Sequence, residues 1–217
     1  MAADFDPGTG LGPRLRLVRG ARQLSVRELA RRVGCSASLI SQIERGVSVP
    51  SVGVLYSLAT ELGSSLDYLL FGSGAGPVGV PAVEAGPTAA EPRPAPPGVA
   101  APPIVQRGCD RRIIDLASGV RWERLTPQPE AMTDFLEVIY SPGGHSTDER
   151  RPLRHDGREY GLIISGTLQA NVGFESYELG PGDSIAFDSS TPHEYLNKTG
   201  EVVHAIWVVV HSEPGRA

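Results

Sequence analysis

The chain has 217 residues, 40% apolar and 21% charged, which suits one large or two small domains and is rich enough in apolar side chains to bury a core. Two cysteines far apart, Cys35 and Cys109, exclude a disulfide framework and a cysteine-built zinc site. The formal net charge of −5 is uneven: eight arginines against six acids leave residues 1–71 positive, while residues 104–217 carry seventeen acids against eleven basic residues and all five histidines, so two domains with different partners are expected.

Residues 1–10 open on an acidic stretch with no basic or apolar signal-peptide region, and read as a flexible N-terminus of a cytoplasmic protein. Residues 11–71 then follow a helical period. Leu11, Leu15 and Val18 come first; Leu24, Leu29, Ala30 and Val33 follow, then Leu39, Ile40 and Ile43, then Val52, Leu55, Leu58, Ala59 and Leu62, then Leu66, Leu69 and Leu70. Gly20, Gly34, Gly46 and Gly63 are stop signals, and Ser25, Ser36, Ser51 and Ser64 are N-cap candidates. Ser25-Val-Arg-Glu28 reads as a capping box. Five short helices are predicted.

Between Val26 and Ile43 the spacing fits two short helices crossing steeply. Ala30 is small where the second helix packs over it, Gly34 sits at the sharp turn, and Leu29, Val33, Ile40 and Ile43 form the shared core. The run from Ser25 to Gly46, with Pro50-Ser51 after it, resembles the Cro/CI-type (XRE) repressor family. The resemblance covers residues 11–71. It implies a five-helix DNA-binding domain whose third helix enters the major groove, with Ser36, Ala37, Ser38, Ser41, Gln42 and Arg45 at the DNA. Gln42 is the expected base reader, since glutamine bonds adenine bidentately. It also implies a structural pair between Arg19 and Glu44. Residues 14–45 hold eight arginines and two glutamates, a charge that favours phosphate contact.

Residues 72–103 contain nine Pro, six Gly and eight Ala among 32 positions and no aromatic residue. They read as a Pro-stiffened linker, or as an ordered arm lying on one domain.

From residue 104 the period changes to two. Strands are predicted over 111–116, 120–125, 134–140, 160–165, 167–172, 176–179, 184–187 and 201–210, separated by Gly, Pro, Asn and Asp, which suggests a sandwich or small barrel. The most apolar stretch, 202–210, is nine residues long and contains His204, so it is a buried strand and not a membrane span. His155-Asp-Gly-Arg-Glu159 leading to Gly166, then Gly180-Pro-Gly-Asp183, then Pro192-His193 and Asn197, resemble the cupin family. That resemblance implies an all-β, double-stranded β-helix barrel over residues 104–217.

It also implies a ligand set. His155, Glu159 and His193 take three cupin ligand positions, and Leu153 stands where the fourth, a histidine, is expected. Two imidazoles and a carboxylate suit a divalent metal such as Fe, Zn, Ni or Mn with open coordination positions. The same residues equally suit a metal-free effector pocket. Arg154 and Arg158 flank the motif, on the surface or facing an anionic ligand, and His145 lies in a polar loop, 143–151, able to cover the barrel mouth. Tyr140, Tyr160, Phe187, Tyr195 and Trp207 lie on predicted strands or at their ends, most of them expected in the core and one or two lining the pocket.

Together these readings describe a two-domain, homodimeric transcriptional regulator, with no catalytic residues, that binds a double-stranded DNA operator and a small-molecule effector. The alternative is a non-haem iron cupin enzyme, similar to a phosphonate epoxidase, whose helix-turn-helix domain has lost DNA binding.

Overall fold

The computed structural model describes residues 10–72, 104–130, 132–147 and 152–211. The expected flexible N-terminus and linker therefore lie outside the described residues, apart from Gly10 and Gly72.

The first unit is five helices: α1 (Leu11–Ala21), α2 (Val26–Val33), α3 (Ala37–Glu44), α4 (Val52–Leu62) and α5 (Leu66–Phe71). The apolar positions of the helical period meet in one core, in which Leu15, Val18, Leu29, Ile40, Leu55, Leu58, Leu62 and Leu69 are fully buried. Serine side chains cap four of the helices. Ser25, Ser36, Ser51 and Ser65 accept from the backbone N–H three residues on, which satisfies an otherwise orphaned donor. The last cap is Ser65 and not Ser64, whose hydroxyl instead donates to the Ser65 carbonyl. The capping box is only half formed: Ser25 caps Glu28, but the Glu28 carboxylate turns to Arg31 and Arg32. Gly20 does not stop α1 either. It lies inside the last turn, and Gln23 takes the left-handed conformation after it (φ 55°). Gly34 does end α2, at φ 78°, where a side chain would be strained.

The second unit contains nine strands: β1 (Ile113–Leu116), β2 (Val120–Arg124), β3 (Thr133–Tyr140), β4 (Arg158–Ser165), β5 (Leu168–Val172), β6 (Glu175–Leu179), β7 (Ser184–Asp188), β8 (His193–Leu196) and β9 (Val203–Val210). They form an antiparallel six-stranded sheet, β1-β2-β3-β9-β4-β7, and a three-stranded sheet, β6-β5-β8. Alternation decides the faces: on β9, Val203, Ala205, Trp207 and Val209 point inward and are buried, while their neighbours are half-buried or exposed. Strand β8 was not among the predicted strands.

The 180–183 motif is a tight turn, with Gly180 N–H bonded to the Asp183 carboxylate (2.8 Å) and Asp183 N–H to the Gly180 carbonyl (3.0 Å). Asn197 is a buried clasp. Its amide donates to the carbonyls of Tyr140, Ser141 and Glu201, and its side-chain oxygen accepts from Thr199. Both motif elements therefore build the barrel.

The two units touch. Gly53 N–H donates to the Ser146 carbonyl (3.0 Å), Ala117 N–H to the Pro50 carbonyl (3.3 Å), and the Arg124 guanidinium lies 5.3 Å from the Phe71 ring centroid.

Candidate DNA-reading helix and effector pocket

Helix α3 buries Ile40 and Ile43 and turns Ser36, Ser38 and Arg45 to solvent. Ala37, Ser41 and Gln42 are half-buried, and Ala37 packs against the core. Arg45 bonds the Ser41 hydroxyl. Glu44 grips Arg19 through two parallel hydrogen bonds, Nε–Oε1 at 2.6 Å and Nη2–Oε2 at 3.0 Å, while Arg19 Nη1 holds the Leu24 carbonyl at 2.7 Å. This fork locks α1, the α1–α2 turn and α3 together.

Several arginines of the basic segment are structural. Arg14 is buried against the Leu69 and Leu70 carbonyls, with burial lowering its pKa to about 10. Arg22 holds the Leu62 carbonyl, and Arg32 bridges Glu28 and Glu61. Arg16, Arg27 and Arg45 are exposed, so the positive face is smaller than the arginine count suggests.

In the second unit His155 precedes β4, Glu159 is the second residue of β4, and His193 opens β8. They are 7%, 3% and 1% exposed, and one donor atom from each lies within 4.8 Å of the others. Glu159 uses its two oxygens differently. Oε2 accepts from Tyr195 Oη and Trp207 Nε1, both at 2.7 Å. Oε1 faces His155 Nε2 at 2.8 Å and His193 Nε2 at 3.0 Å, yet none of these three atoms has an aligned hydrogen-bond partner. His193 Nδ1 lies 2.8 Å from the Thr191 carbonyl and His155 Nδ1 3.3 Å from that of Asp156. A carbonyl only accepts, so each Nδ1 carries a hydrogen, and a neutral ring then presents a lone pair at Nε2.

Three buried lone pairs thus converge on one point, a costly arrangement unless a cation sits among them. The donor set fits a divalent metal, and the Nδ1–carbonyl contacts are the outer-shell bonds that orient imidazole ligands.

A cavity of about 20 Å³ borders Glu159 and is lined by Val52, Tyr56, Trp122, Leu136, Val138, Tyr140, Leu153, Glu159, Tyr195 and Trp207. That is room for about one water-sized occupant. Leu153, at the fourth ligand position, is buried and exchanges two backbone hydrogen bonds with His193. Gly161, one inward position beyond Glu159, lies beneath the Trp207 indole, whose ring atoms would be 2.4 Å from any β-carbon placed there.

The pocket gathers more aromatic rings than the sequence suggested. Tyr140, Tyr195 and Trp207 line it, Phe187 packs edge-on to His193, and Tyr160 points outward. Trp122 and Tyr56 were not anticipated. Tyr56 comes from α4 of the helical unit and lies flat on His155, with centroids 4.3 Å apart and 4° between planes. Burial, then the Asp134 and Glu159 charges, push its hydroxyl well above the usual tyrosine range. Arg154 and Arg158 are exposed. His145 and His204 take part in other contacts, with Thr147 and Glu137. Residues 148–151 of the 143–151 loop lie outside the described residues.

Comparison with known proteins divides the chain at the same place. A helix-turn-helix model matches residues 15–69 and a cupin-domain model residues 136–209. The HTH-type transcriptional regulator PuuR of Escherichia coli (strain K12) is 26% identical over 203 residues, 93% of this chain and 95% of its own. The crystal structure of an HTH_3 family transcriptional regulator from Vibrio cholerae covers 95% of this chain and 98% of its own, with a TM-score of 0.61 and 19% identity. Hydroxypropylphosphonic acid epoxidase from S. wedmorenis covers 94% and 98%, with a TM-score of 0.41 and 19% identity.

Proposed function

We propose, from the premise that this chain belongs to the helix-turn-helix transcriptional regulators of the XRE (Cro/CI) type that carry a C-terminal cupin, that a small molecule bound at His155, Glu159 and His193 sets its affinity for a DNA operator. The carrying observation is the convergence of three buried, partnerless polar atoms on Glu159, which also lines an apolar cavity. A fully structural cluster would satisfy its polar atoms internally. A divalent ion (Fe, Zn, Ni or Mn) held by the three residues would supply a Lewis-acid contact to an oxygen or nitrogen of the effector. In this reading α3 reads bases through Gln42, Ser38 and Ser41, and Ser36, Ala37 and Arg45 complete the contact surface.

The protein acts as a cytoplasmic homodimer in this reading. Among the described residues, no helix is long and apolar enough to cross a membrane. The outer face of the large sheet supports self-association. Phe135, Val208 and Tyr160 align across β3, β9 and β4, next to Ile206 and Leu162, and Tyr160 and Leu162 are 44% and 40% exposed. A second copy covering this face would present two α3 helices to two half-sites.

Metal analysis of the purified chain, followed by operator binding before and after chelation, tests the proposal. Chelation or Glu159→Gln should alter operator affinity while α3 stays folded. Iron-dependent turnover without DNA affinity would overturn it in favour of an enzyme.

A further inference from the structure

We propose that Tyr56 of α4 is the lid of the effector pocket and the link by which occupancy reaches the DNA-binding unit. This rests on the reading of His155, Glu159 and His193 as the binding site.

Ten residues line the cavity. Eight belong to the strand-rich unit, and seven of those, all but Leu153, lie on its strands; the other two, Val52 and Tyr56, come from α4. Strand residues are tied into backbone ladders, so moving them breaks several hydrogen bonds at once. The helical unit that carries this wall meets the cupin through looser contacts, among them the Tyr56–His155 stack, an edge contact of Tyr56 with Trp122 at 5.8 Å, the Gly53–Ser146 and Pro50–Ala117 hydrogen bonds, and the Phe71–Arg124 contact. The cavity admits about one water-sized group. A ligand that reaches Glu159 through this cavity and is larger than one water must displace a wall, and the wall that yields at least cost is Tyr56.

Helix α4 cannot move alone. Leu55, Leu58 and Leu62 are buried in the helical core with Leu29 and Ile40, the supports of α2 and α3. Rigidly packed cores transmit displacement, so expelling Tyr56 shifts the whole helical unit relative to the barrel. In a dimer joined through the barrels, that shift changes the spacing of the two α3 helices, and with it the fit to half-sites about 34–36 Å apart. An occupant that prefers the lid-open state shifts the population by its difference in affinity for the two states.

The test uses the full-length chain loaded with Co²⁺ and one probe, benzohydroxamate, a bidentate oxygen ligand with a phenyl ring too large for the closed cavity. Three forms are compared: wild type, Tyr56→Ala, and Tyr56→Phe, which keeps the ring. A fourth form carries Gly53→Cys and Thr147→Cys in a Cys35→Ser, Cys109→Ser background. A β-carbon at 53 lies 4.0 Å from the Thr147 α-carbon and 3.0 Å from Leu153 Cδ2, so the reduced form of the same variant is the reference for the oxidised one.

Tyr56→Ala should tighten benzohydroxamate binding about tenfold, because the closed state no longer competes, and Tyr56→Phe should match wild type. The oxidised clamp should abolish both probe binding and the probe's effect on operator affinity, and reduction should restore both. If Tyr56→Ala fails to fold, the clamp alone decides. Equal probe affinity in the oxidised and reduced clamp overturns the lid, provided His155→Ala abolishes Co²⁺ binding. If His155→Ala leaves Co²⁺ binding intact, the site assignment itself has failed.

Discussion

Glu44 holds Arg19 through two parallel hydrogen bonds, of 2.6 and 3.0 Å, with the two side chains 9% and 15% exposed. An acid on α3 is explained by that pair, which anchors α3 to α1. Glu44→Ala would leave a largely buried guanidinium without its partner, at a cost of roughly 3 kcal/mol. The double variant Arg19→Met, Glu44→Leu should recover most of the loss. Urea denaturation of the three proteins checks this, and a double variant as unstable as Glu44→Ala would refute it.

Gln42→Ala should weaken operator binding by about 1–3 kcal/mol and relax preference at one base position. Arg27→Ala, at an exposed side chain, should weaken all sequences alike and reduce the salt slope by about 1 if it meets a phosphate. Arg32→Ala should instead reduce stability, because Arg32 is held by Glu28 and Glu61. Binding-site selection at two salt concentrations separates the three outcomes.

On the barrel's outer face, Tyr160→Glu with Leu162→Arg should leave the fold intact and yield a monomer. The monomer should lose the gain from a second half-site and bind single and paired half-sites equally. Sedimentation and DNA titration read the two effects; a variant that stays dimeric places the interface elsewhere.

His211 Nε2 contacts Asp134 Oδ2 at 2.7 Å. Burial alone would lower the imidazole pKa; the Asp134 carboxylate outweighs it and holds it above 6.5. The folded value is the raised one, so the pair's stabilisation is complete below about pH 6.5 and is lost as pH rises through the folded pKa. With the His211 side chain 31% exposed, about 0.5–1 kcal/mol is at stake. Urea midpoints at about pH 5.5 and about pH 8.5 should differ in wild type, and the contribution from this pair should vanish in Asp134→Asn.

The division into helical and strand-rich halves was readable because each period repeats many times, as in Leu55, Leu58 and Leu62 or in the alternation of β9. His155, Glu159 and His193 were readable from motif spacing. Strand β8 escaped because four residues between Pro192 and Asn197 give almost no period. Ser64 and Ser65 are adjacent equivalents that local preference cannot rank. Tyr56 could not be read at all. On the helical period it is one more buried residue of α4, and only the approach of the two units sets its ring on His155. The second oxygen of Glu159 was equally hidden, since Tyr195 and Trp207 reach it from two other strands, 36 and 48 residues away.

The absence of a side chain at Gly161 sets how this pocket can be redesigned. The Trp207 indole that donates to Glu159 needs the space above that glycine. Even an alanine there would push the indole aside and take from the carboxylate one of the two donors at its Oε2. New ligand preference must therefore be built through Leu136, Val138 and Leu153, whose side chains shape the cavity without supporting the acid. Libraries that vary β4 beside Glu159 would select for folding before they could select for binding.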